Sequence, residues 1–341
     1  MVSLIGARLA PLDLGEPWAL LTYNGVPLFD AVSSQVISLS VTDNIEGQAD
    51  EIDLTVHNAD GKWFLAWSPE HGDRIEGALG YKGGVMVPIG TFFVDRPSAR
   101  GGRGGDIFST AGQSAPTTKP IRTKKTRAFE KQKLKQVADK VAGEHGMSVV
   151  GTPPDITFDR ITQRRETDLG FLRRVFEDFG SFFKVAGTKI VVSSRDEVWA
   201  RAPVRTFTRG DREIKSYGFS YNAGRTFSKA QVNYFDGKSK KKITGKAEDK
   251  KVKSGDTLKL DDRVENEGQA NKLAKSRLDK ANMKQWQGSF EVVGDPLLLA
   301  GQIVAVAGYG RFDRRYTIMR ARHRITRAGY VTHVELQGVR E

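Results

Sequence analysis

Cysteine is absent from all 341 residues, which removes disulfide scaffolds, thiolate-ligated zinc, iron–sulfur clusters and thiol nucleophiles together and fits a reducing compartment. Histidine is scarce, with five residues scattered at 57, 71, 145, 323 and 333. No apolar run approaches the ~20 residues that a membrane-spanning helix needs; Pro296-Leu297-Leu298-Leu299-Ala300 is among the longest. The start, Met1-Val2-Ser3-Leu4-Ile5-Gly6-Ala7-Arg8, lacks the basic segment and continuous apolar stretch of a secretory signal. We therefore expect a folded chain assembled in the cytoplasm, with no membrane partner. What is in excess is positive charge, 54 Lys+Arg against 41 Asp+Glu, a net +13. Net charge bears on partners rather than on fold. The 38% hydrophobic content is adequate for two or three cores at ~100–200 residues per domain.

Catalytic patterns are missing as well. A phosphate loop needs a glycine five positions before Gly-Lys-Ser, because successive backbone N–H groups must wrap the phosphates; Gly237-Lys238-Ser239 has Val232 there. A nucleophile elbow needs glycine where Gly112-Gln113-Ser114-Ala115 is followed by Pro116. Of the histidines, His323 and His333 alone are placed to meet, across a final hairpin, either as ligands of a metal needing three or four donors or as two hydrogen-bonded structural residues. Asp43, Glu46, Asp50, Glu51 and Asp53 lack the alternating spacing of a calcium loop, leaving a solvated or partner-facing acidic loop. Asp261-Asp262 precedes a helix and suits its positive end. No enzyme activity and no cofactor are expected.

Hydrophobic patterning gives the organisation. Ile37, Leu39 and Val41 alternate with Ser38, Ser40 and Thr42, and Ile52, Leu54 and Val56 follow the same period of two, the mark of half-buried strands. Arg74–Tyr81, Val85–Val94 and Ile107–Thr110 read as further strands, with Gly101-Gly102-Arg103-Gly104-Gly105 as a hairpin tip. Residues 1–115 are thus expected to form a first antiparallel barrel. Helical spacing of Leu134, Val137, Ala138 and Val141 predicts a helix over Phe129–His145, and a second is predicted from Thr167 to Gly180. A short hairpin around Ala186-Gly187 completes an α+β unit over 116–200. Strand patterns return over 201–341, interrupted by a helix at Asn266–Asn282 and a lysine-rich loop, giving a second barrel. The fold class expected is mainly β with an α+β insert, two antiparallel β-barrel-like domains flanking a small α+β domain.

Positive charge concentrates in three places. Lys119, Arg122, Lys124, Lys125, Arg127, Lys131, Lys133 and Lys135 surround the first helix start. Lys238, Lys240, Lys241, Lys242, Lys246, Lys250, Lys251 and Lys253 form a second run, and no aromatic residue lies between Phe235 and Trp286. It is a poor stacking platform for nucleic acid, although phosphate contact and a plain solvated loop both remain open. Third, Arg320, Arg322 and Arg324 share one strand face, opposite Met319, Ala321, His323 and Ile325. Arg320, Arg322, Arg324, Lys240, Lys241 and Lys242 are the candidate subunit or partner interface; an ordinary exposed sheet face is the alternative for the arginines.

The segment Ile161-Thr162-Gln163-Arg164-Arg165-Glu166-Thr167-Asp168-Leu169-Gly170-Phe171-Leu172-Arg173-Arg174, with Phe179-Gly180, resembles the phage late control gene D family, the baseplate hub proteins of contractile tails. Gly294-Asp295-Pro296, Ala300-Gly301-Gln302, Tyr316-Thr317-Ile318, His323-Arg324-Ile325-Thr326 and Gly329-Tyr330-Val331-Thr332 occur in supporting order. The resemblance implies a homotrimeric ring that adapts a hexameric tail tube to a trimeric spike, the first barrel facing the tube. It implies a tail tube protein, a separate trimeric tail spike protein and baseplate wedge proteins as partners, in a phage, a defective prophage or an R-type bacteriocin. Nucleic acid is expected only as DNA passing through the bore. The alternative functions are a hub-associated peptidoglycan hydrolase and a nucleic-acid-binding multi-barrel protein.

Overall fold

The computed structural model describes residues 15–28, 35–115, 119–237, 240–252 and 255–340. Met1–Arg8, Pro116, Lys238, Ser239 and Lys253 lie outside these. In the first body the strands are β1 (Pro17–Tyr23), β2 (Val26–Pro27), β3 (Val36–Asn44), β4 (Glu51–His57), β5 (Arg74–Tyr81), β6 (Met86–Arg100) and β7 (Ile107–Gln113). The period-two pattern sets their register: Leu39 stands opposite Leu54 and Val41 opposite Ile52, so all four apolar side chains enter one core with Leu21, Phe92 and Val94. Trp63 closes this core, stacked on Phe108 at a ring separation of 5.5 Å.

The middle of the chain contributes α1 (Lys119–Arg122), β8 (Lys125–Lys133), α2 (Leu134–Gly143), β9 (Ser148–Gly151), β10 (Thr157–Glu166), α3 (Asp168–Asp178), β11 (Ser181–Ala186), β12 (Lys189–Ser194) and α4 (Arg195–Ala200). The helix predicted from Phe129 starts five residues later. Phe129 belongs to β8, opposite Ile161 of β10, and α2 begins where the Gln136 side chain accepts the Lys133 backbone N–H at 2.9 Å. The apolar stripe Leu134, Val137, Ala138 and Val141 is buried as its spacing predicts. Thr167 caps α3, its hydroxyl accepting the Gly170 N–H at 3.1 Å, which satisfies one of the unpaired donors of the first turn.

The remaining elements are β13 (Arg205–Thr208), β14 (Ile214–Tyr221), β15 (Phe227–Asp236), β16 (Lys241–Glu248), β17 (Asp256–Leu260), α5 (Glu267–Met283), β18 (Trp286–Val293), β19 (Ile303–Ala307), β20 (Arg315–Thr326) and β21 (Gly329–Gly338). Their main core gathers Phe207 and Phe290, stacked at 4.3 Å, with Val304, Tyr316, Ile318 and Val334. Each such fully buried apolar side chain contributes roughly 1.5–3 kcal/mol.

Two features go beyond the sequence pattern. First, the two β bodies keep separate cores but share one 13-stranded sheet, ordered β14-β18-β21-β20-β3-β4-β7-β6-β5-β1-β2 with β19 and β13 branching from β20. The junction is the antiparallel pairing of β20 with β3, which sets Arg320 opposite Asn44 and His323 opposite Val41. Second, β16-β15-β17 form a sheet of their own, backed by α5 through Val232, Leu273 and Ala274. Helix and sheet approach so closely at Gly245 that an added Cβ would lie 2.2 Å from the Ala270 carbonyl carbon. The lysine run expected as a loop is therefore partly strand: Lys241, Lys242 and Lys246 are on β16.

Candidate functional site

Alternation along β20 puts Arg320, Arg322 and Arg324 on the outer face of the long sheet, with Ala321 and His323 buried beneath. The outer face is not uniformly basic. Arg320 Nη1 lies 3.2 Å from Glu335 Oε1 on β21, while its other nitrogens donate to Asn44 Oδ1 and Gln48 Oε1, both at 2.9 Å. Arg322 Nε donates to Thr42 Oγ1 at 3.3 Å and its row continues to His333 and Glu291 on one side and to Glu51 on the other. Arg324 is opposite Ser40, which is opposite Asp53. Acidic groups of this chain thus flank the arginine column, and the face is a mixed-charge surface.

His333 pairs with Arg322 across the hairpin, whereas His323 pairs with Thr332, so the two histidines occupy opposite faces and do not share a ligand. His323 is a buried hydrogen-bonding residue. Leu298 O can only accept, so Nε2 carries the proton and donates to it at 3.0 Å, leaving Nδ1 to accept from the Tyr330 hydroxyl at 2.7 Å. Burial lowers its pKa and keeps the ring neutral.

Of the first basic segment, Lys125 and Arg127 turn inward. Asp168, its side chain wholly buried, receives Lys125 Nζ at 2.6 Å, His145 Nε2 at 2.7 Å, and Arg127 Nη2 and Gln163 Nε2 at 2.8 Å. Burial alone would raise its pKa, but the hydrogen bonds from Lys125, Gln163 and His145, together with the Arg127 charge, hold it at about 2. Glu144 completes the cluster by pairing with Arg127 at 2.6 Å and Lys125 at 3.0 Å. Glu144, His145 and Asp168 have the spacing of a three-ligand metal group, yet two protein cations already neutralise the carboxylates. The arrangement is a structural ion network. Neither periodicity nor motif spacing announces it, because its members come from β8, the turn after α2, β10 and α3.

Two residues of the acidic stretch, Asp43 and Asp50, are turned inward instead of lying on a solvated or partner-facing loop, whereas Glu51 and Asp53 lie on the outer face of β4. Lys184 of β11 pairs with Asp43 and lies 2.9 Å from Asp50 Oδ2, tying the α+β unit to the long sheet. Burial raises the Asp50 pKa to about 6 despite Lys184. Asp262, expected to serve the α5 N-terminus, instead faces Arg277 with Asp178; Asn266 caps that helix by accepting the Gln269 N–H at 2.9 Å. Lys240, Lys241 and Lys242 are exposed on the three-stranded sheet and its adjoining turn, a different sheet from the one that carries the three arginines. No helix among the described residues is long and apolar enough to cross a membrane.

A β-rich fold of this layout is that of tail proteins. The chain superposes on a tail protein from Neisseria meningitidis MC58 with a TM-score of 0.73 at 14% identity, covering 94% of this chain and 96% of that one. The 43 kDa tail protein of prophage MuSo2 from Shewanella oneidensis gives 0.72 at 16%, covering 94% and 98%. The E. coli c3393 protein, a component of a type VI secretion system, gives 0.59 at 12%, covering 90% and 74%.

The sequence match is narrower in class. The phage tail baseplate hub (GPD) family model matches residues 121–329, and the chain belongs to that family. The probable baseplate hub protein of Escherichia phage 186 is 25% identical over 210 residues, 60% of this chain and 53% of the relative. That of Escherichia phage P2 is 26% identical over 191 residues, 53% of this chain and 47% of the relative. The chain thus spans about half the length of these curated relatives.

Proposed function

We propose that this chain is a structural hub of a contractile-tail baseplate, assembled as a homotrimeric ring between a hexameric tail tube and a trimeric spike. The observation that carries the reading is the pair of separately cored β bodies joined edge to edge through β3 and β20. Two β bodies per chain, repeated three times, give six units around one rim while the other side keeps threefold symmetry. Closed rings use head-to-tail interfaces that return on themselves. The long sheet ends at β14 on one side and at β1 with the two-residue β2 on the other, and such edges are suited to pairing between copies. Tyr217 on β14 is 52% exposed and packs against Tyr309 at 4.8 Å, an aromatic surface of the kind enriched at interfaces.

The role is structural in this reading. The buried ion cluster around Asp168 is neutralised within the chain, and its His145–Asp168 pair is engaged by Lys125 and Arg127 rather than by a nucleophile. Spike, tube and wedge proteins are the partners, and the assembled particle is the site of action. Mass determination of the purified chain, alone and after addition of a spike protein encoded beside it, tests the reading: a trimer supports it, and a chain monomeric under both conditions refutes it.

A further inference from the structure

The three-stranded sheet carries a surface that the hub reading leaves unused. Its inner face, Ala230, Val232 and Leu258 among others, is spent on α5. The outer face is fixed by register: Phe235 stands opposite Lys242, Asn233 opposite Thr244, and Gln231 between Lys246 and Lys259. All three lysines are exposed, and Phe235 is 63% exposed at the tip. Between the lysines runs a stripe of amide and hydroxyl groups already in contact with one another: Gln231 Nε2 donates to Asn233 Oδ1 at 3.2 Å, and Thr244 Oγ1 to the same oxygen at 3.4 Å. Such mutual bonding holds the stripe in place before any partner arrives.

The charge of this unit is one-sided. Residues 227–260 contain ten lysines, no arginine and four acids, an excess of six out of the chain's net +13. One of those acids, Asp249, is taken up internally by Arg340 and Asn282. Elsewhere Lys125, Arg127, Lys184, Arg277 and Arg320 pair with acids of this chain; on this face, among the described residues, Glu248, 3.8 Å from Lys229, is the acidic neighbour in register.

We propose that the outer face of β15–β17 docks an acidic protein surface, with Lys242, Lys246 and Lys259 receiving carboxylates, the Gln231–Asn233–Thr244 stripe hydrogen-bonding the partner's polar groups, and Phe235 as an apolar anchor at one end. Acidic protein is favoured over nucleic acid by the chemistry of the face. Phosphate recognition in structured sites favours the bidentate fork of arginine, which is lacking, and tracking a strand needs successive aromatic platforms, of which this face has one. Lysine ammonium groups are flexible point charges suited to carboxylates at variable spacing. The inference rests on the hub reading for where the partner would be met, in a neighbouring protein of the same particle.

The test uses the isolated full chain with fluorescent poly-L-glutamate as probe, and a DNA duplex of equal charge alongside, between 50 and 200 mM NaCl. Reversal of Lys242→Glu, Lys246→Glu and Lys259→Glu together is expected to weaken polyglutamate binding by roughly tenfold or more, since each removes an attraction and adds a repulsion. A control reversing Arg100→Glu, Arg103→Glu and Lys124→Glu, exposed on other elements, is expected to stay within roughly twofold. If the sheet variant fails to fold, the same three lysines are changed to glutamine, for which a smaller loss in the same direction is expected. Equal losses in sheet and control variants would overturn the proposal by showing that only net charge matters. Tighter binding of the DNA duplex, lost on reversal of the sheet lysines, would overturn it in favour of a nucleic-acid face. Because the readout is binding by the isolated chain, its failure is separate from a failure of the hub reading, which shows in oligomeric state.

Discussion

Lys184 Nζ lies 2.9 Å from Asp50 Oδ2 and pairs also with Asp43, so a single ammonium on the β11–β12 hairpin fastens the α+β unit to the junction of the long sheet. Asp43 also accepts the Ala300 backbone N–H at 2.9 Å, bringing the second body into the same knot. A buried ion group of this kind is costly to break from one side, because the remaining charges lose their partner without regaining water.

Replacing Lys184→Met is therefore expected to destabilise the chain by roughly 3–5 kcal/mol, read as a lower urea midpoint. The Asp50 pKa is raised to about 6 by burial, so the folded chain holds a proton that the unfolded chain releases near pH 4. The associated stability is fully present below pH ~4 and is lost as pH rises through ~6. Asp50→Asn should flatten that part of the stability profile; an unchanged slope between pH 4 and 7 would contradict this account of the knot.

Asp168 works in the opposite sense. Its pKa is lowered to about 2, so its contribution is present above pH ~4 and is lost as pH falls through ~2. After allowing for solvent screening at the Lys125 and Arg127 ends, the contribution is on the order of 1–2 kcal/mol. Asp168→Asn should cost at least that much at neutral pH and remove the steepest part of acid unfolding. Addition of zinc or manganese should leave the wild-type melting temperature unchanged, since the cations already present fill the cluster; a rise of several degrees would show that the group binds metal.

At Gly294 an added Cβ would meet the Tyr330 ring at 2.1 Å, and Tyr330 in turn donates its hydroxyl to His323. Gly294→Ala should thus destabilise by overpacking, by about 1–3 kcal/mol. Tyr330→Phe should cost about 1 kcal/mol, leaving His323 Nδ1 with the Thr332 hydroxyl at 3.2 Å. Chemical denaturation of the two single variants and the double variant checks both values and their coupling.

Much of this architecture is legible in the sequence because half-buried strands advertise themselves. Leu39 and Val41, Ile52 and Leu54, and the Arg320–Arg322–Arg324 face all follow from a period of two, and Thr167 announces its helix as a cap, whereas Asn266 reads as the first helical residue although it caps the helix. What escapes is long-range. The pairing of β20 with β3 joins residues nearly the whole chain apart, and no local pattern distinguishes a strand that closes its own barrel from one that continues into another. The helical stripe of Leu134, Val137, Ala138 and Val141 does not mark where its helix starts, and tertiary pairing with Ile161 makes Phe129 strand. The inward acids Asp43, Asp50 and Asp168 read as surface residues because their cationic partners Lys184, Lys125 and Arg127 are supplied by distant elements. On the lysine sheet the decisive fact is register, which puts Phe235 beside Lys242 where sequence order alone shows an aromatic-free run.

The arginine face gives a further expectation. Arg320 is held by Glu335, Asn44 and Gln48, whereas Arg322 and Arg324 are exposed. Reversing Arg322→Glu and Arg324→Glu should change monomer stability by no more than about 1 kcal/mol. If the candidate interface assignment of this face is right, the same variant should fail to assemble with its neighbours, as seen by sedimentation. Normal assembly would return the face to an ordinary exposed sheet surface.

The symmetry of the chain in its particle decides whether it forms a trimeric hub. Electron cryomicroscopy of an isolated tail, with this chain located by a fused tag, should show three copies in a ring whose two β bodies alternate around the rim that meets the tube. Six copies in equivalent positions, a single copy, or the absence of the chain from the tail would contradict the account.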